Sequence, residues 1–260
     1  MRDDSIDVRE TRMGRFTSTV AYYESARAPY GEAFFAGVAR DLGLDGSQRL
    51  LDVGTGPGLL AIGFARYCRE VVGVDPEPAM LEAARSAAAR AGVAVRFVEG
   101  RFEDEPAGLG GFDVVTIGRA IDWLDPEPAL KALDRVVRPG GRILVCHAST
   151  VADGRNPWLE AFTRVRNRWK TERPSFDRDR FFAGGPFVPR RTIRVETAVP
   201  TSVERLADRI LSMSTSSPAR LGDDAPAMRS AMREGLEPYA AGGAVEEIVE
   251  AEADVFERGE

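Results

Sequence analysis

Between Arg49 and Ser149 the chain alternates apolar runs with helix-forming stretches, and no other feature constrains its fold as tightly. The runs "RLLDVGT", "EVVGVDP", "AVRFVEG", "FDVVTIG" and "GRILVCHAS" are dominated by Val, Ile and Leu with little polar alternation. Strands of that kind are covered on both faces, the environment of a parallel sheet. The intervening "GLLAIGFARYC" follows a glycine-rich turn, "PAMLEAARSAAARAG" ends on Gly92, and "PEPALKALDRVV" opens with Pro126. Proline at the start and glycine at the end are common helix boundaries. Strand and helix in alternation predict an α/β core over 49–150, with a ligand crevice at the carboxyl ends of its strands.

The flanks read differently. Residues 1–48 place apolar side chains at i, i+3, i+4 through "AYYESARAPYGEAFFAGVARDLGL", with a break at Pro29, and predict a helical N-terminal lid. Residues 151–191 are rich in Arg and aromatics without strand alternation, and predict a cap inserted after the fifth strand. Further on, "TIRVETAVP" predicts a strand and "SVERLADRILSMS" a helix capped by Ser202. The Glu-rich "AVEEIVEAEADVF" fits helix or strand, and we expect a final strand over roughly Glu250–Phe256. The 260 residues are read as one domain, with 192–260 completing the sheet.

Composition removes several function classes. A net charge of −6 without a Lys/Arg cluster argues against a nucleic-acid partner. Cys68 and Cys146 lie in apolar segments and read as reduced core residues. His147 is the single histidine, so no histidine-based metal centre is expected. The first thirty residues lack the apolar region of a secretory signal, and no run approaches the ~18 residues of a membrane span. A cytoplasmic protein without membrane contact is expected.

"LLDVGTGPGLL" places Gly54, Gly56 and Gly58 directly after a strand and before a helix. Glycines there let backbone approach a ligand closely, and the helix start adds unpaired N–H groups. The dinucleotide fingerprint would need glycine where Leu59 stands, which argues against a nicotinamide oxidoreductase. Asp75 closes the second strand, 21 residues after Gly54, where an acid can accept both hydroxyls of a ribose. Turn and acid together predict a nucleoside site.

These motifs, followed in order by "VVGVDPEPAMLEAAR", "VRFVEGRFED", "FDVVTIGRAIDWLD" and "RVVRPGGRILV", resemble class I S-adenosylmethionine-dependent methyltransferases over about residues 10–150. The small-molecule, natural-product branch is the most similar. The resemblance implies a Rossmann-like, doubly wound, mostly parallel seven-stranded sheet with its last strand antiparallel. It implies S-adenosylmethionine as cofactor, with S-adenosylhomocysteine as product. Gly54, Thr55, Gly56 and Gly58 would lie against the methionine part, with Asp52 beneath it near the amino group. Asp75 would hold the ribose, and Pro76 and Met80 would flank the adenine. Where the family usually has an acid this chain has Arg101, so the Phe102 backbone and Glu103 become the candidates for the adenine amino group. Gly118 and Arg119 would complete the wall beside the sulfonium. The N-terminal segment would close over the cofactor carboxylate, chiefly through Arg27, with Tyr22 and Tyr23 as lesser candidates.

The implied reaction is a direct displacement on a small acceptor's O, N or C atom. Alignment of the reactants supplies roughly 7–11 kcal/mol, and a general base adds about 10²–10⁴-fold. Two bases qualify: Asp122, in the slot where similar proteins often carry histidine, and His147, after the fifth strand. Trp123 reads as packing at the sheet edge. It is grouped with Trp158, Phe162 and Trp169 as the aromatic acceptor side. A cofactor-binding relative catalysing another reaction, such as cyclisation, is the competing reading; methylation of tRNA or protein ranks behind it. Oligomeric state is open.

Overall fold

The computed structural model describes residues 22, 26–105, 109–171, 178–213 and 215–259. Strands β1 (Arg49–Val53), β2 (Glu70–Asp75), β3 (Arg96–Glu99), β4 (Phe112–Gly118), β5 (Val137–Thr150), β6 (Phe187–Ser202) and β7 (Ala244–Arg258) form one seven-stranded sheet, ordered β3-β2-β1-β4-β5-β7-β6. The first five pair in parallel, and β7 runs antiparallel to both its neighbours. This is the Rossmann-like sheet the sequence predicted.

The helices among the described residues are α1 (Gly31–Leu42), α2 (Leu59–Phe64), α3 (Pro78–Ala91), α4 (Pro126–Val136), α5 (Leu159–Trp169), α6 (Arg178–Phe182), α7 (Val203–Leu211), α8 (Pro218–Leu221) and α9 (Ala225–Leu236). On one face of the sheet Phe34 and Val38 of α1 and Leu60 and Phe64 of α2 pack on Leu50, Val114 and Leu144. On the other face Ala132, Leu133 and Val136 of α4 meet Leu51, Val115, Ile117 and Ile143. Each such fully buried aliphatic side chain contributes about 1.5–3 kcal/mol. The stretch Pro139-Gly140-Gly141 lies inside β5. Its pairing with β4 jumps from Phe112↔Val137 to Val114↔Arg142, so residues 138–141 loop out of the ladder.

Three expectations need correction. The last strand is longer than expected, Ala244–Arg258, because it pairs along β6 from Ser202↔Ala244 to Phe187↔Arg258. That double pairing overrides the helical leaning of its glutamates. The segment 151–191 is not one insertion, since β6 already begins at Phe187, and Phe181 and Phe182 join the core beneath α4. The helical cap instead comes from two separated pieces. Trp158, Ala161 and Phe162 pack with Leu206 and Ile210 of α7 and with Met228, Met232 and Leu236 of α9.

The cap is tied to the sheet by a buried ion pair. Arg209 of α7 donates to both carboxylate oxygens of Glu247 on β7, at 2.6 and 2.9 Å. The hydroxyls of Thr150 and Thr201 donate to the same two oxygens, at 2.6 and 2.8 Å. Burial alone would raise the Glu247 carboxyl, but Arg209 and the two threonines hold it below its ordinary value. Ser202 caps α7 as expected, its hydroxyl accepting from the Arg205 N–H at 3.1 Å.

Candidate active site at the carboxyl ends of the strands

The glycine-rich loop links β1 to α2, and its glycines do different work. Gly54 has φ +64°, and a Cβ there would lie 2.4 Å from the Ala120 Cβ, so the loop closes tightly on the β4 exit. Gly56 has φ +52°, yet a Cβ there would meet nothing within 4 Å. Its open side leaves room for another group to approach the backbone. Thr55 is buried, and its N–H donates to the Val74 carbonyl at 3.0 Å, tying the loop to β2.

Asp52 lies beneath this loop, 2% exposed. Its two oxygens accept from the hydroxyls of Thr55 and Thr116, each at 2.7 Å. Burial pushes its carboxyl up to about 6, against the pull of those two hydrogen bonds. Thr116 went unnoticed in the sequence. Its signal is a lone hydroxyl in the apolar strand "VVTIG", and it stands directly across from Asp52 in the β1–β4 register. Asp75, at the end of β2, accepts from the Gly56 N–H at 2.8 Å and from the Glu77 N–H at 2.9 Å. Burial raises its carboxyl too. A carboxylate has about four lone-pair positions, so both Asp75 oxygens keep capacity for a ligand's hydroxyls.

The remaining cofactor candidates surround the same crevice. Pro76 is exposed and Met80 buried at the start of α3. Phe102 buries its ring in the core, which leaves only its backbone to face a ligand. Glu103 accepts from Arg101 at 3.3 Å and from the Asp125 N–H at 3.1 Å, joining the loops after β3 and β4. Gly118 ends β4 beside the Leu60 side chain and the Tyr30 hydroxyl. Arg119 follows with φ +57°, a conformation costing a non-glycine residue of order 1–3 kcal/mol. Its guanidinium donates to the carbonyls of Ala28 (2.7 Å) and Ala148 (3.1 Å) and lies over the Tyr30 ring at 4.9 Å. The side chain therefore clamps the N-terminal segment onto β5.

That segment crosses the strand ends. Tyr30 donates its hydroxyl to the Cys146 carbonyl at 3.2 Å, and Arg27 donates to the Ser212 carbonyl at 2.8 Å. Tyr22 packs against the cap cluster, while Tyr23 lies outside the described residues. Gly118 is paired with Cys146, so His147 begins at the level where β4 stops, and Asp122 sits on the short 3-10 turn just beyond (Ile121–Trp123). Both candidate bases thus occupy one rim. His147 is exposed and stands cross-strand from Glu252.

The aromatic acceptor set is not brought together. Trp158 is 1% exposed, and its indole N–H donates to the Glu246 carbonyl at 2.9 Å. Phe162 packs edge-on against it with centroids 6.1 Å apart, so both belong to the cap core rather than to an acceptor surface. Trp169 is half-buried on the same cluster with the Arg168 guanidinium over its ring. Trp123 is half-buried in the turn after β4.

Comparison with known proteins agrees with this geometry. Residues 51–145 match the family described as methyltransferase domain. The chain is 32% identical over 161 residues to the uncharacterized methyltransferase YcgJ of Bacillus subtilis, covering 58% of this chain and 62% of that protein. It is 42% identical over 111 residues to the demethylmenaquinone methyltransferase of Thermus thermophilus, covering 41% and 50%. The alignments thus span about half to three-fifths of these relatives' length. A crystal structure of an S-adenosylmethionine-dependent methyltransferase from Thiobacillus denitrificans, in complex with S-adenosylhomocysteine, superposes with a TM-score of 0.54. The superposition covers 94% of this chain and 98% of that one at 16% identity, a likeness of fold. The ordered motifs, the strand order and the family match all fall on one stretch, residues 51–145, which is similar to the methyltransferase domain family.

Proposed function

We propose that this chain transfers a methyl group from S-adenosylmethionine to the O, N or C atom of a small molecule. The observation that carries the reading is the open face of Gly56 beside Asp75, a loop shaped for close backbone approach next to a carboxylate with spare lone pairs. In this reading Gly54, Thr55, Gly56 and Gly58 bear on the methionine part, and Asp75 takes the ribose. Pro76 and Met80 flank the adenine, with the Phe102 backbone, Glu103 and Arg101 at its far edge. Gly118 closes the side near the acceptor. Arg119 and Arg27 act by holding the N-terminal segment in place, since both spend N–H groups on backbone carbonyls.

The bound cofactor supplies an electrophilic methyl on sulfur. The protein aligns an acceptor atom behind that methyl and keeps water out, a positioning effect of roughly 7–11 kcal/mol. His147 or Asp122 takes the acceptor's proton when it carries one, adding about 10²–10⁴-fold. A small-molecule acceptor is supported by the net charge of −6, which disfavours a polyanionic substrate, and by the quinone-type acceptor in the name of the Thermus relative. A secondary metabolite is the acceptor class we favour.

Isothermal titration with S-adenosylhomocysteine and with NAD tests the cofactor. Saturable binding of the first and none of the second is expected, and no heat with S-adenosylhomocysteine at millimolar levels sinks the reading. Incubating the protein with methyl-labelled S-adenosylmethionine and a protein-free metabolite extract should then place label in a small molecule. Cofactor binding without label transfer would favour the cyclisation-type alternative.

A further inference from the structure

The inner face of the cap carries two arginines, Arg205 and Arg209, that share one buried carboxylate among the described residues, Glu247. On α7, Arg205 and Arg209 stand one turn apart and donate to the carbonyls of Arg27 and Ala26 respectively. Glu204 and Asp208 on the same helix pair instead with Arg229 of α9. Arg209 takes both oxygens of Glu247, whose remaining positions are filled by Thr150 and Thr201. Among the described residues, Arg205 makes no ion pair with a carboxylate of its own. Its Nη2 makes one long bond, 3.4 Å, to the Arg27 carbonyl. Its Nε is buried with no acceptor at all. Burial and the neighbouring Arg209 hold its guanidinium below the ordinary value, against the weaker opposing pull of Glu247.

A half-buried cation beside a second cation is unfavourable unless an anion completes the site. Buried donors without partners are rare enough that each calls for an explanation. Position says which anion. The cofactor candidates hang from β1, β2 and β4, whereas Arg209 anchors α7 to Thr150 on β5 and Glu247 on β7. In the strand order β5 and β7 lie two and three strands from β1, about 10–14 Å at ~4.8 Å per strand. Arg205, one turn from Arg209 and bonded to the Arg27 carbonyl, therefore belongs to the β5–β7 end of the strand row, which we assign to the acceptor. A guanidinium's planar fork matches a carboxylate, and a single carboxylate is tolerated better than a polyanion by a chain of net charge −6.

We infer that Arg205 is a specificity residue that recognises a carboxylate on the methyl acceptor, so that the preferred substrates are small organic acids. The inference rests on the proposed methyltransferase reading for the word acceptor. It is tested on the full chain with paired probes, benzoate against benzamide and octanoate against octanamide, titrated with and without saturating S-adenosylhomocysteine.

The wild-type protein should bind at least one acid tenfold or more tightly than its amide. Arg205→Gln should erase that preference while keeping S-adenosylhomocysteine affinity within about twofold, and Arg205→Lys should keep part of it. Equal binding of acid and amide in both pairs overturns the inference, as does a preference that survives in Arg205→Gln. Loss of S-adenosylhomocysteine affinity in Arg205→Gln with unchanged affinity for 5′-methylthioadenosine, which lacks the amino-acid portion, would assign Arg205 to the cofactor's carboxylate instead. Should Arg205→Gln not fold, the Arg205→Lys comparison decides: an undiminished acid preference with it overturns the fork argument. Failure of S-adenosylhomocysteine to bind the wild-type protein would strike the methyltransferase reading. The acid-over-amide preference measured without it would still stand or fall separately.

Discussion

Replacing Asp52 with asparagine should make the unliganded protein more stable at neutral pH. The Asp52 carboxyl is held at about 6 in the folded chain against an ordinary 3.8, chiefly because burial disfavours its charge. Between those two pH values the folded state binds more protons than the unfolded one, so stability falls as pH rises through that window. Above about pH 6 the full penalty is present, on the order of 3 kcal/mol at about 1.4 kcal/mol per pH unit of separation. Asparagine removes the charge but keeps the shape. One threonine hydroxyl must rotate to accept from the new amide, a change worth about 0.5–1.5 kcal/mol. The net expectation is a gain of about 1–3 kcal/mol at pH 7.5 that shrinks toward zero, and then reverses in sign, near pH 4. Urea unfolding of both proteins across pH 4–8, followed by tryptophan fluorescence, measures it. An Asp52→Asn protein less stable than wild type at pH 7.5, or a stability gap that does not change with pH, would refute the reasoning.

Other perturbations separate structural from functional roles. Gly56→Ala should cost only about 1–2 kcal/mol of stability, from its positive φ, because its Cβ enters open space; it should nonetheless weaken S-adenosylhomocysteine binding at least tenfold by calorimetry, and Gly56→Val should abolish it. Gly54→Ala should instead lower the melting temperature more than Gly56→Ala does, since its Cβ collides with Ala120. Glu247→Gln leaves the buried Arg209 uncompensated and should destabilise the protein by about 3–5 kcal/mol in chemical denaturation. His147→Ala or Asp122→Ala should lower turnover at least tenfold with cofactor affinity kept within a few-fold; full turnover in both variants would leave positioning as the whole of catalysis.

The core was readable because its signals are local. Strands β1, β2, β4 and β5 are each rich in Val, Ile and Leu, with the short Arg-Phe-Val-Glu of β3 as the exception, and the glycine spacing and Asp75 lie within a single βαβ unit. The cap was not, because its partners are distant in sequence. Trp158 and Phe162 looked like acceptor contacts until Leu206, Met228 and Met232, some fifty to seventy residues later, were seen to cover them. The last strand hid for a different reason. Its buried row is Val245, Glu247, Val249, Ala251, Ala253 and Val255, a strict alternation interrupted by one charged residue. Nothing local reveals that Glu247 has a buried arginine waiting for it. Arg27 and Arg119 illustrate the same limit, since each donates to a main-chain carbonyl, a partner that leaves no mark on residue identity.

The cap helices α7 to α9 leave the sheet and return to it at one place. Ser202 is paired with Ala244, and the Val203 N–H donates to the Gly243 carbonyl at 3.0 Å. An insertion whose two ends are hydrogen-bonding neighbours can be lengthened, trimmed or exchanged without disturbing the register of the strands it interrupts. The sheet and the helical roof are therefore separately exchangeable. Any exchanged roof must meet two conditions: a cation for the buried Glu247 carboxylate and an apolar face broad enough to cover Trp158 and Phe162.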